Sequence, residues 1–104
     1  MPLPSSDRFE IASSLWCWRG GKSGTAWHFI TIDGQMSAEI RYAALGRTGG
    51  FGSIKVEAQI GGTTWRTSIF PHGDSGGFIL PVKAEVRRRE AIGEGDQVTV
   101  ELTL

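Results

Sequence analysis

The sequence predicts a mainly β protein that folds as a small barrel with two short helices. Three observations carry this prediction. Apolar and polar residues alternate through 53–60 and again through 97–104, which is the period of a half-buried strand. Fifteen of the 104 residues are glycine, and several stand where tight turns would join strands. Two segments, at about 35–45 and about 82–91, instead space their apolar residues as helices do.

Length and composition favour a single soluble domain. We expect residues 1–6 to form a flexible tail and residues 7–104 to form one domain around one core. Eleven basic and eleven acidic side chains balance, which argues against a membrane and against DNA as partners, although DNA is not excluded. One cysteine, Cys17, allows no internal disulfide, and no segment has membrane-spanning length, so a cytoplasmic location is expected.

The first half of the chain is predicted to contain two strands and a helix. Residues 8–18 alternate as a strand whose apolar face switches near Ser13, which predicts a bulge or sharp bend there. A second, mostly apolar strand is expected over 27–32. The helix at about 35–45 follows, and Gly46 stands where a left-handed residue would end it.

The sharpest local prediction is a β-hairpin across Gly61 and Gly62. The two glycines can supply the two positive φ angles of a type I′ turn. A two-residue loop fixes the register, which pairs Ile60 with Thr63, Ala58 with Trp65, Val56 with Thr67, and Ile54 with Ile69. On the other face Glu57 would lie opposite Arg66, as a cross-strand ion pair worth about 0.2–1 kcal/mol.

The C-terminal part is predicted as a short strand, a helix and a last strand. Residues 78–80 form the short strand. Pro81 suits the first turn of the helix at about 82–91, because a backbone N–H at that position would lack a partner anyway. Gly93 is expected to close this helix before the alternating strand over 97–104.

Four strings of the sequence resemble one known family. They are Phe51-Gly52-Ser53, the decapeptide Gly-Thr-Thr-Trp-Arg-Thr-Ser-Ile-Phe-Pro over 62–71, Leu80-Pro81-Val82-Lys83, and Gly95-Asp96. They resemble the bacterial family called domain of unknown function 1905, from about Phe9 to the end of the chain. The resemblance implies a small double-split pseudo-barrel, remotely similar to the AbrB/MazE class of swapped-hairpin DNA-binding dimers. It implies no catalytic residue, because no activity is assigned to that family.

Residues 73–77, Gly-Asp-Ser-Gly-Gly, match the string around the nucleophile of chymotrypsin-like proteases. That serine needs a histidine base, a buried carboxylate and an oxyanion hole, which such proteases assemble from distant strands. Here His72 and Asp74 are sequence neighbours of Ser75. We therefore predict a glycine-rich loop, and a serine hydrolase that uses Ser75 is a remote alternative.

The other reactive side chains do not predict a catalytic or metal site. Cys17 lies between Trp16 and Trp18 on a predicted strand, which favours a small packed residue. His28 and His72 stand alone, without the spacing of metal ligands. No catalytic residue, metal or other cofactor is therefore predicted.

The function predicted from the sequence is binding without catalysis. The four tryptophans are expected chiefly to fill the core, although the indole N–H also suits a barrel mouth or an interface. A small ligand or a protein partner would bind a surface formed by Trp65, Arg66, Ser68, Lys83 and Arg87. An AbrB-like DNA-binding regulator is the alternative, and the protein is expected to be a monomer or a weak homodimer.

Overall fold

The computed structural model describes residues 8–20, 24–46, 49, 52–73 and 76–104. Its elements, in chain order, are β1 (Arg8–Ser14), β2 (Trp16–Arg19), β3 (Ala26–Ile32), α1 (Gly34–Ala43), β4 (Ile54–Ile60), β5 (Thr63–His72), β6 (Gly77–Pro81), α2 (Ala84–Glu90) and β7 (Gln97–Thr103). In the described part of the chain, seven antiparallel strands form one sheet, which curls into a half-barrel with two short helices. The predicted mainly β class with two helices is confirmed. The tail predicted over 1–6 lies outside the described residues.

The sheet curls because its two edges are joined by a single residue. The strand order β1-β7-β4-β5-β6-β3-β2 places β1 and β2 at opposite edges, yet only Leu15 separates them in the chain. A flat sheet of this size would hold its edges about 29 Å apart, whereas one residue spans at most about 3.6 Å. The sheet must therefore bend until its edges meet at Leu15, close to the break predicted near Ser13.

Backbone hydrogen bonds fix this corner of the half-barrel. The Leu15 N–H donates to the Asp96 carbonyl at 2.9 Å, and the Leu15 carbonyl accepts from the Gly95 N–H at 2.7 Å. The Leu15 side chain is only 1% exposed and belongs to the main core. Gly95 has a φ of 92°, as the predicted turn into the last strand requires.

The hairpin between β4 and β5 has the predicted register at every position, and Glu57 lies opposite Arg66. Two details differ. Gly61 has a positive φ of 57° but Gly62 does not, so the turn lacks the two positive φ angles of type I′. The side chains of Glu57 and Arg66 form no ion pair with each other, although both are described.

The core lies on the inner face of the sheet, and the helices cover it. Strands β4 and β7 alternate buried and exposed residues, as predicted. Helix α1 packs against β1 and β6 and buries Ile40, while α2 packs against β5 and buries Val86. Gly46 follows α1 with a φ of 83°, which confirms the predicted left-handed residue.

The limits of α2 were predicted incorrectly at both ends. Pro81 is the last residue of β6, and the Val82 N–H still donates to the His28 carbonyl of β3 at 2.9 Å. This pairing keeps the chain extended, so the helix begins only at Ala84. At the other end Ala91 adopts the left-handed conformation, with a φ of 54°, in place of the predicted Gly93.

Candidate functional site

The outer face of the sheet, which points away from the core, has two chemically different halves. The half formed by β1, β7 and β4 is polar and carries Glu10, Glu57 and Glu101. The half formed by β5, β6, β3 and β2 is aromatic, and strand pairing places Trp16 opposite Phe29 and Trp18 opposite Trp27 there. None of the described residues that point outward from this second half is a carboxylate.

Five rings on this half form a continuous surface, which we call the aromatic platform. Its members are Trp16, Trp18, Trp27, Phe29 and His72, which together with Ile79 line a shallow cavity of about 330 Å³. The rings of Trp27 and Phe29 are stacked, with centroids 6.4 Å apart and planes 11° apart. Trp16 continues the row, 5.0 Å from Phe29 on one side and 6.0 Å from His72 on the other.

The platform overturns the prediction that the tryptophans chiefly fill the core. Only Trp65 is buried, at 8% exposure, whereas Trp18 and Trp27 are 49% and 51% exposed. Trp16 is held in place by its indole N–H, which donates to the Thr31 hydroxyl at 2.8 Å. Large exposed rings that are fixed in one surface are typical of sites that bind ligands or partners.

Next to the platform lies a second cavity, which we call the cationic cleft. It lies between the start of β3, the middle of β5 and the first turn of α2, and its volume is about 330 Å³. Its walls include the cationic residues Arg66, Lys83 and Arg87, together with Trp27 and His28, and none of the described residues that line it carries a carboxylate. Trp27 belongs to both the cleft and the platform.

The cations of the cleft are not neutralised by the described part of the chain. The ion pairs in the described part of the chain lie outside the cleft. They join Arg8 to Glu101, Arg19 to Glu94 at 3.4 Å, and Arg89 to Glu85 at 3.3 Å. Arg87 is instead fixed by its Nε, which donates to the Val82 carbonyl at 3.2 Å. The cleft therefore gathers three cationic side chains that form no ion pair in the described part of the chain.

One known family matches the part of the chain that contains both surfaces. The family described as Domain of unknown function (DUF1905) matches residues 12–102. The chain belongs to this family. All the residues of the platform and of the cationic cleft lie within the matched span, so both features belong to the DUF1905 domain itself. No curated protein matches the chain.

The DUF1905 fold brings together four of the five surface residues predicted from the sequence. Trp65, Arg66, Lys83 and Arg87 line the cationic cleft, where Trp65 contributes a mostly buried wall. Ser68 lies in the adjoining groove of about 850 Å³, which Arg66 also lines. Their role in binding stays a prediction.

Sequence analysis missed Trp27 and His28 as cleft residues. Both lie in a strand that looked covered on both sides, and only the pairing of β3 with β2 shows which face is open. The sequence signal that could have located His28 is its alternation with Ile30 and Ile32, because this spacing places the histidine on the inner face of the strand.

His28 is held next to positive charge and away from water. Its Nδ1 is buried and has no hydrogen-bond partner. Burial lowers the pKa of His28, and the nearby charge of Arg87 lowers it further. Cys17 lies directly across from it on β2 and is half-buried, with no hydrogen bond between the two side chains in the described structure. The geometry is that of neighbouring residues on paired strands.

The lowered pKa of His28 predicts a specific pH dependence of stability. Because the unfolded chain binds a proton more readily than folded His28 does, the free energy of unfolding should fall as the pH drops through and below about 6.5. Urea denaturation of the wild type at neutral and mildly acidic pH measures this loss. His28→Gln should reduce the pH dependence, whereas the matched variant His72→Gln should retain it. If the free energy of unfolding of His28→Gln depended on pH as strongly as that of the wild type, His28 would not be the source of this dependence.

The protease-like string is only partly described by the structure. His72 ends β5, and its ring lies against that of Trp16 at a tilt of 34° as part of the platform. Asp74 and Ser75 lie outside the described residues, so the hydrolase alternative is untested. Among the residues described, no group of three or more metal-ligating side chains is present, and no helix is long and apolar enough to cross a membrane.

Proposed function

We propose that this DUF1905 domain binds a small organic anion that carries an aromatic ring, and that it does so in the cationic cleft. One observation carries the proposal. Arg66, Lys83 and Arg87 line a cleft without a carboxylate, and none of them has an ion-pair partner in the described chain. Cations gathered in this way repel one another, so an anion bound among them gains energy from all three.

The charges of the cleft favour a carboxylate or a phosphate as the anionic group. The planar guanidinium groups of Arg66 and Arg87 can each offer two parallel N–H donors to such a group, and the Lys83 ammonium adds a compact charge. Arg87 already uses its Nε for the Val82 carbonyl, so its terminal nitrogens remain for a ligand. The side chains of Arg66 and Lys83 are exposed and can adjust to the ligand.

The aromatic part of the ligand is supported by Trp27. Its indole is half-exposed and forms the boundary between the cleft and the platform, so a ring attached to the bound anion can lie against it. The cleft volume of about 330 Å³ is at the lower end of the range of about 300–1,000 Å³ that is typical of small-molecule sites.

The two alternatives predicted from the sequence have less support. Binding of duplex DNA rests on several cations spread along a groove-sized surface, whereas Arg66, Lys83 and Arg87 lie together in one small cleft. Hydrolysis would need a nucleophile hydrogen-bonded to a base. Ser75, the nucleophile of that alternative, lies outside the described residues, so no contact supports it.

Phenyl phosphate is a suitable probe, because it combines one phosphate with one ring. In a ¹H–¹⁵N NMR titration at low salt, the amides around the cleft should shift. Arg66→Gln and Lys83→Gln should each raise the dissociation constant about three- to tenfold, because each removes a charged hydrogen-bond donor that is partly screened by water. Added salt should weaken binding in the wild type.

Arg88→Gln is the matched control, because Arg88 is an exposed cation of α2 that does not line the cleft. It should bind phenyl phosphate as the wild type does. Equal losses in Arg88→Gln and Lys83→Gln would show general charge attraction only. Shifts confined to amides far from the cleft would also reject the proposal.

A further inference from the structure

The cationic cleft opens directly onto the aromatic platform. A ligand held only by the cleft would need one ring, next to Trp27. The platform instead continues from Trp27 through Phe29 and Trp16 to His72, in steps of 6.4, 5.0 and 6.0 Å between ring centroids. Trp18 extends the surface on the other side of Trp27, as its cross-strand partner.

We infer that the ligand is a single-stranded nucleic acid, whose phosphate lies in the cationic cleft and whose bases stack on the aromatic platform. The inference rests on the proposed function and identifies its anion as a phosphate of the strand. Single strands are typically bound by a positively charged groove beside aromatic side chains, because every base offers a flat face for stacking. Both parts are present here on adjacent surfaces that share Trp27.

The distribution of charge on the sheet supports this occupant. The outward-facing carboxylates Glu10, Glu57 and Glu101 lie on the polar half, while the described part of the aromatic half carries none. Arg8 and Lys55 offset part of this negative charge, so the polar half gives phosphates no net attraction, whereas the described part of the aromatic half opposes them with no carboxylate. The zero net charge of the chain then implies modest affinity that depends on stacking more than on total charge.

A neutral oligosaccharide is the main competitor for a row of exposed rings. It would use the platform but would have no need of the unpaired cations of the cleft. A second copy of the chain that used the same face would bring no carboxylate to these cations, because the described residues pointing outward from the aromatic half include none. The proximity of Arg66, Lys83 and Arg87 to Trp27 thus favours a ligand that has phosphates as well as rings.

The test measures fluorescence anisotropy of labelled hexathymidylate and hexauridylate with the full chain at low salt. Both should bind, because stacking does not depend on the sugar. A preference for either probe would identify the strand as DNA or as RNA and would support the proposal. The logarithm of the binding constant should fall with the logarithm of salt concentration with a slope of about −1.4 to −2.1, as two or three phosphate contacts to a single strand require. A duplex of mixed sequence should bind more weakly, because its bases are already stacked internally.

Four variants separate this inference from the proposed function. Trp18→Ala should weaken hexanucleotide binding about 5- to 150-fold, because it removes the stacking of one base. It should leave phenyl phosphate binding unchanged, because Trp18 belongs to the platform and does not line the cleft. Lys83→Gln should weaken both probes. Tyr42→Ala removes an aromatic side chain that is 78% exposed on α1, away from the platform, and should change neither. Trp18→Phe keeps a ring and should retain most of the affinity, which guards against a folding defect in Trp18→Ala.

Each outcome decides between the two claims. If phenyl phosphate binding depends on Lys83 but hexanucleotide binding does not depend on Trp18, the inference is overturned and the proposed function stands. If the binding of neither probe depends on Lys83, the inference and the proposed function are both overturned. Equal binding of duplex and single strand, or binding of cellohexaose that depends on Trp18, overturns the inference in favour of backbone contacts or a neutral saccharide. A dimer in sedimentation velocity that Trp18→Ala dissociates would overturn it in favour of self-association.

Discussion

Gly77→Ala should lower the free energy of unfolding by about 2–4 kcal/mol, a large part of the stability of a domain of this size. Gly77 is buried at the start of β6, where the chain passes over the end of β3. A methyl group added there would lie 2.0 Å from the Ile32 carbonyl oxygen and 3.0 Å from the Asp33 Cα. Both are backbone atoms, so no side-chain rotation can relieve the overlap, and β3 and β6 must move apart.

The measurement is urea denaturation, followed by far-UV circular dichroism, of the variant and a matched control. Gly73→Ala changes a glycine in the same β5–β6 connection, where an added methyl group meets nothing within 4 Å and φ is not positive. It should alter stability by no more than about 0.5 kcal/mol. Faster hydrogen exchange in the β3–β6 pair of Gly77→Ala would locate the damage. Equal stability of the two variants would show that the approach of β6 to Ile32 is not close.

Local chemistry explains which parts of the fold could be predicted from the sequence. The β4–β5 hairpin was predicted pair by pair, because a two-residue turn and strict alternation leave only one register. Similar local reasoning predicted the left-handed conformation of Gly46 after α1. It failed at Pro81, where pairing of the next residue with β3 overrides the preference of proline for the start of a helix.

Non-local pairing explains which parts could not be predicted. Periodicity shows which residues of a strand share a face, but not which strands are neighbours. The aromatic platform exists because β2 and β3 pair with Trp16 opposite Phe29 and because β5 places His72 beside Trp16. The cationic cleft was predicted in part, since four of its residues were selected for their charge and size. The absence of ion pairs for its cations depends on distances that only the folded chain has.

Leu15→Ala should lower the free energy of unfolding by about 2–5 kcal/mol, the range for a buried leucine whose cavity cannot collapse. Leu15 is 1% exposed and is the only residue between the two strands at the opposite edges of the sheet. Its backbone is held to Gly95 and Asp96 from both sides, so the corner cannot close around the lost side chain.

Leu45→Ala removes the same atoms from a leucine that is 69% exposed after α1, and should change stability by about 0.5 kcal/mol or less. Thermal and urea unfolding of the two variants measure the difference. Because β2 carries Trp16 and Trp18, a loosened corner should also disturb the platform, which the tryptophan fluorescence of folded Leu15→Ala would report. If Leu15→Ala were no less stable than Leu45→Ala, the corner would be held by the chain connection and the backbone hydrogen bonds, without a contribution from the Leu15 side chain. The edge that carries the platform would then not depend on the packing at Leu15.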